Sequence, residues 1–174
     1  MEGSPSGLWR TLGKRVGCYS PRGFESLSLR QEQSSKAHCS PTIMLNTKSI
    51  KSEIQPADGK RISIMSRHTL SDGVTPDPEI FPELYDEWWP ELSPPGVLIG
   101  TYYKRGMAWS EFEERYVDHL RQPIVAAKIA DLIDLANNGV VTVLCVEDQP
   151  EQCHRRLLAE ECLLLEPGLI VKIH

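Results

Sequence analysis

Apolar and polar positions along the chain sort into short two-sided apolar runs and longer amphipathic stretches. Val140 to Val146 (VVTVLCV) is apolar on both faces, the pattern of a central strand in a parallel sheet. Lys60 to His68 (KRISIMSRH) puts Ile62 and Ile64 on one face with Met65 against them, which predicts a first strand. Leu169 to Ile173 (LIVKI), after the Pro167-Gly168 break, predicts a last one. Between the first two lies a loop with Asp72-Gly73 and three prolines, Pro76, Pro78 and Pro82. Leu84 to Leu92 then reads as a strand or a short helix, and Pro90 confines either to an edge.

The helices follow from spacing. Val97, Leu98 and Tyr102 recur at helical intervals, and Trp109, Phe112, Tyr116 and Leu120 make one aromatic stripe, best read as a core face. Ser110-x-x-Glu113 fits a capping box at the start of that helix. Pro123 opens another, with Ile129, Leu132, Ile133 and Ala136 inward and Gly139 as its stop. After the Glu147–Pro150 turn a further helix runs to about Leu165, with Asp148 and Glu151 spaced as its N-cap and box partner. Strand 140–146, this helix and the last strand predict a right-handed βαβ unit. The fold class is α/β: a single domain with a small, mainly parallel sheet flanked by helices.

Residues 1–43 are a different material. They lack periodicity, hold eight of the 15 serines, and carry six basic and three acidic residues, whereas residues 44–174 carry 13 and 21. Such a stretch is expected to be a disordered extension, since it offers too little apolar surface to offset its ordering entropy. Gly23-Phe24-Glu25-Ser26 can also be back-translated into the T-loop of a transfer RNA gene, so we expect an over-extended gene model and a natural start at Met44. No function is assigned to these residues, and residues 44–174 form the expected domain.

The net charge of -5 becomes -8 over residues 44–174, which argues against nucleic acid as a partner. No apolar run reaches the roughly 18 residues of a membrane span, and no secretory h-region follows the basic N-terminal residues. A cytoplasmic location with reduced thiols is therefore expected. Oligomeric state is left open.

One polar constellation stands out: Cys145 to Arg156, CVEDQPEQCHRR, where a parallel strand hands over to a helix. Ligands bind on that side of open α/β sheets. If strand 60–68 runs parallel to it, Arg67 and His68 emerge on the same rim. Cys145, Glu147, Cys153 and His154 are then candidate catalytic groups, and Arg155, Arg67 and His68 candidate ligand-binding groups for a small anionic molecule. A thiol at the positive end of a helix ionises more easily, and a Cys–His pair can serve nucleophilic catalysis. The blander alternatives are a buried apolar Cys145, a satisfied core His154 and, for Arg156, a surface ion pair with Glu160. Cys145, Cys153, His154 and His68 match zinc by ligand type but lack paired C-x-x-C spacing, so no metal or cofactor is expected. A Cys145–Cys153 disulfide is conceivable, although a reducing compartment makes free thiols the default. A phosphatase-type Cys-x5-Arg loop does not fit, because Glu151 stands where its Arg would be.

Val143-Leu144-Cys145-Val146-Glu147, followed by Cys153-His154-Arg155-Arg156-Leu157-Leu158-Ala159-Glu160, resembles the C-terminal signature of the DUF488 family. Trp109 to Tyr116 resembles its Trp-x-x-Phe-x-x-x-Tyr helix, and Trp88 to Pro94 is similar to a Trp- and Pro-containing stretch of the same branch. The resemblance extends from about Gly59 to the C-terminus. Residues 67–80 depart from an Arg-x-x-Pro-Arg-Gly pattern of part of the family, so Arg67 and His68 rest on strand geometry alone. The resemblance implies a small soluble α/β domain of mostly prokaryotic type and no particular reaction. Two functions remain: an enzyme or ligand-binding domain with a Cys/His/Arg pocket, or a non-catalytic interaction protein in which the Cys-His-Arg turn is structural.

Overall fold

A computed structural model describes residues 43–174. Five parallel strands form one sheet: β1 (Met44–Ser49), β2 (Lys60–Ser63), β3 (Glu87–Trp88), β4 (Val140–Cys145) and β5 (Val171–Ile173), in the order β3-β2-β4-β1-β5. Four helices complete the α/β fold: α1 (Gly96–Arg105), α2 (Trp109–Leu120), α3 (Pro123–Ala136) and α4 (His154–Leu165). No helix among the described residues is long and apolar enough to cross a membrane.

The pattern on β4 shows why it is central. Val141 and Val143 join the main core with Leu98 of α1, Phe112, Tyr116 and Leu120 of α2, Ile129 and Leu132 of α3, and Leu157 and Leu158 of α4. On the opposite face Leu144 packs with Ile50 and Ile80, and the Thr142 hydroxyl donates to the Asp58 carbonyl at 2.6 Å. Both faces are covered, so both are apolar or satisfied.

Several expectations are corrected. The strand predicted over 60–68 ends at Ser63, and the chain turns before Arg67. β1 precedes it and has no apolar signature, because buried Asn46 and Thr47 interrupt the pattern. β5 pairs with β1 rather than β4, so the βαβ crossover passes over an intervening strand. Neither predicted capping box forms. α2 begins at Trp109 without a side-chain cap, and Glu113 instead accepts from Arg156 at 3.2 Å. α4 begins at His154 with Cys153 at the N-cap, leaving Asp148 to accept from the Ser49 hydroxyl at 3.1 Å. The aromatic stripe of α2 and the α3 core face are as the spacing predicts.

The face of the sheet away from the helices carries a buried charge network at the start of β2. Asp58 accepts from Lys48 and Arg61 and from the Gln55 amide, while Arg61 Nε donates to the Leu84 carbonyl at 2.8 Å. Gly59 connects this network to β2 with φ 60°, and a Cβ there would stand 2.0 Å from the Val140 carbonyl oxygen. Only glycine fits both the dihedral and the close approach.

Candidate functional site

The C-terminal ends of β2 and β4 and the N-terminal end of α4 meet at a cavity of about 250 Å³. One wall holds Cys145, the last residue of β4, and Cys153 and His154 at the start of α4. Parallel pairing of β2 with β4, extended by the Ile64 amide donating to the Leu144 carbonyl at 3.0 Å, brings residue 64 beside Cys145. That carbonyl decides the histidine chemistry. His154 Nε2 lies 3.1 Å from the Ile64 carbonyl oxygen, which can only accept, so Nε2 carries a proton. In the neutral ring Nδ1 is then the acceptor, and it faces Cys145 Sγ at 3.5 Å. The edge of the ring packs against Tyr116. The core position expected for His154 and the reactive one are therefore the same position.

The two thiols are unequal. Cys153 donates toward Cys145, and this lowers the Cys145 pKa; burial opposes the shift, and the Glu147 amide adds to it. The same hydrogen bond, together with burial, raises the Cys153 pKa. One hydrogen bond therefore moves the two thiols in opposite directions, Cys145 down and Cys153 up. Cys162 lies in the core among Leu157, Leu158 and Ala159, and burial pushes its thiol up to about 12.

Arg155 does not occupy the place expected for an anion binder. Its side chain is wholly buried (0% exposed) and does not line the cavity. The guanidinium donates to the carbonyls of Glu147, Asp148 and His174, the last two at 3.0 Å, and to Cys153 Sγ at 3.4 Å. It holds the β4–α4 turn closed and ties in the C-terminus. These acceptors satisfy Nη1 and Nη2, while the buried Nε has no hydrogen-bond partner. His68 is also outside the cavity. It hydrogen-bonds the Ser63 hydroxyl at 2.8 Å, meets the Tyr85 and Trp88 rings in tilted contacts, and burial lowers its pKa. Arg67 does line the cavity and is exposed, with Asp77 also in the wall.

Sequence reasoning missed much of the opposite wall. Tyr102, Tyr103, Trp109 and Phe112 line it, so two aromatics of the α2 stripe serve core and cavity together. The Tyr103 hydroxyl donates to Glu147 Oε1 at 2.5 Å, and Tyr102 reaches Gln152 at 3.3 Å. Burial and that carboxylate raise the Tyr103 pKa. Adjacent tyrosines on a short amphipathic helix were the available signal, but the Ile64 carbonyl had none.

The donor atoms of Cys145, Cys153 and His154 lie within 4.8 Å of one another, close enough for one soft cation to touch all three. With His68 elsewhere, the cluster is one protein ligand short of the closed tetrahedron of a structural zinc site.

These features define a parallel α/β domain with a thiol–imidazole pair at the carboxyl ends of its strands. A family model for DUF488-N3a, described as the active DUF488-N3 subclade, matches residues 45–166, and the chain belongs to this family. The match starts at β1, earlier than the resemblance around Gly59 suggested, and runs through α4. Neither the search of curated proteins nor that of solved structures gave a match.

Proposed function

We propose that this domain is a thiol-dependent enzyme acting on a small molecule, with Cys145 as nucleophile and His154 as its proton acceptor. The observation that carries this reading is the Cys145 Sγ–His154 Nδ1 contact at 3.5 Å, with the far side of the ring fixed by the Ile64 carbonyl. A nucleophile, a base within reach and a third group orienting the base make up the recurring constellation of covalent catalysis. The Cys145 thiolate attacks the electrophilic atom of the bound molecule; a sulfur–substrate bond forms as the bond to the leaving group breaks, and attack by water then breaks the sulfur–substrate bond and frees the thiol. The proton taken by His154 is returned to the leaving group. Glu147, held by Tyr103 at the cavity wall, is the second proton-carrying group. An anionic group on the substrate meets Arg67, because Arg67 lines the cavity and Arg155 does not. The description of the matched subclade as active agrees with this reading. A reducing cytoplasm would keep both thiols free for it.

The test is the pH dependence of iodoacetamide alkylation at Cys145, followed by peptide mapping. Alkylation should reach half its maximum rate well below the pH of about 8.5 of an ordinary thiol. His154→Gln should slow it at neutral pH while leaving the fold intact. One observation favours the second reading, a non-catalytic interaction protein: Cys145 and Cys153 are only 2% and 1% exposed, beside an arginine that holds the turn. Thiols inert to pH 9, with Cys145→Ala changing stability alone, would establish that reading instead.

A further inference from the structure

Cys153 forms no bond to the substrate in the proposed nucleophilic step, yet it is buried against the sulfur that performs it. The two sulfurs lie within 4.8 Å of each other, and both face the cavity. Both cysteines are free thiols. They sit at the two ends of one turn, residues 146–152, which has no helix or strand of its own. Arg155 Nη1 touches Cys153 Sγ at 3.4 Å and so supports negative charge on that sulfur as its proton leaves. An isolated core thiol has none of this. Cys162 shows the contrast, packed only among apolar side chains on the inner face of α4.

We infer that Cys153 is a resolving cysteine, which captures a peroxide-oxidised Cys145 as a reversible Cys145–Cys153 disulfide and protects the site from irreversible oxidation. The inference rests on the nucleophilic role of Cys145 proposed above, and the co-reactant is hydrogen peroxide or a small alkyl hydroperoxide. In the first step the Cys145 thiolate attacks the peroxide; an S–O bond forms, the O–O bond breaks, and hydroxide or alkoxide leaves to be protonated. In the second, Cys153 sulfur attacks Cys145 sulfur; the S–S bond forms, the S–O bond breaks, and the departing hydroxide takes the Cys153 proton as water. Two thiols lose two electrons, and one peroxide gains them. Two equivalents of a cellular thiol return the pair to the dithiol form by two successive exchanges and leave as their own disulfide. Oxidation also removes the hydrogen-bond partner of His154, so the disulfide form is inactive as well as protected.

The experiment uses the full-length reduced chain treated with one equivalent of hydrogen peroxide, alkylated, digested and mapped by tandem mass spectrometry. The mapping separates these thiols from Cys18, Cys39 and Cys162. The expected product is a Cys145–Cys153 crosslinked peptide, two mass units lighter than the dithiol and fully reversed by dithiothreitol. In Cys153→Ser, Cys145 should instead be trapped by dimedone as the sulfenic acid and advance to the sulfinic acid with excess peroxide, at least ten-fold faster than in the wild type. Wild-type protein that forms Cys145 sulfinic acid while Cys153 stays alkylatable overturns the inference, and so does pairing of Cys145 with another cysteine. The alkylation profile of Cys145 separates the two proposals. A Cys145 that alkylates at neutral pH but forms no disulfide defeats the resolving role alone. A Cys145 inert to both reagents defeats the nucleophile with it.

Discussion

Two polar clusters lie against the same sheet and use their hydrogen bonds differently. On the face away from the helices, both carboxylate oxygens of Asp58 are occupied by Lys48, Arg61 and the Gln55 amide, and Thr142 closes on the Asp58 carbonyl. At the C-terminal end of β4, Cys145 and His154 face each other across 3.5 Å and open onto a cavity. In the first cluster each proton has one home, as a buried charge requires. In the second, a proton can sit on sulfur or on nitrogen. A carboxylate saturated on both oxygens holds the fold; an exchangeable proton beside space for a ligand supports chemistry. Arg155 belongs to the first type by its bonding, although its sequence neighbours belong to the second.

The largest effect should come from breaking the saturated cluster. Asp58→Ala leaves Arg61 and Lys48 without their anion and should cost about 3–5 kcal/mol of stability in urea unfolding. The Cys145 alkylation rate of the folded fraction should not change. The pH response carries a sign. Burial alone would raise the Asp58 carboxyl, but the bonds from Lys48, Gln55 and Arg61 outweigh it and hold the folded pKa below the ordinary 3.8. The stabilisation is therefore fully present above pH 3.8 and is lost as pH falls through the lower folded value. Asp58→Asn should flatten the acid limb of the stability curve in that window. An unchanged acid limb would mean that Asp58 is equally tied in the unfolded chain.

Arg155 tests whether the two clusters are separable. Arg155→Met strips a donor from three carbonyls and should cost about 2–3 kcal/mol, less than Asp58→Ala because water can reach part of the turn. Unlike Asp58→Ala, it should also slow Cys145 alkylation, since Cys153 and the β4–α4 turn lose their anchor. Stability loss with an unaltered alkylation profile would confine Arg155 to the fold.

How much of this was legible depended on which atoms carry the information. β4 announced itself because both its faces are apolar, and α2 and α3 because their core residues recur at helical spacing. β1 was silent, since buried polar Asn46 and Thr47 interrupt its apolar run, and hydropathy sees neither the enclosure of Asn46 nor the His174 amide that satisfies Thr47. The cysteine–histidine cluster was visible as residue types at a strand-to-helix junction. Its working geometry was not, because it depends on a backbone carbonyl at Ile64 and on a β2–β4 register that pairs residues 81 apart in sequence. Arg155 was misplaced for the same reason. An arginine beside a cysteine and a histidine suggests an anion, whereas here backbone oxygens of its own turn and the C-terminus take all three roles.

The smallest predicted effect probes the seam between core and site. Tyr116 is wholly buried in the α2 stripe; its hydroxyl donates to the Leu92 carbonyl at 2.6 Å, and its ring meets the edge of His154. Tyr116→Phe keeps the ring and removes only the hydrogen bond, so it should cost about 1 kcal/mol in thermal or urea unfolding. If the aromatic face alone positions the imidazole, the pH midpoint of Cys145 alkylation should stay where it is in the wild type. A displaced midpoint would show that the hydroxyl's bond to Leu92 fixes the ring that fixes His154. The core of α2 would then set the geometry of the thiol–imidazole pair as well as filling space behind it.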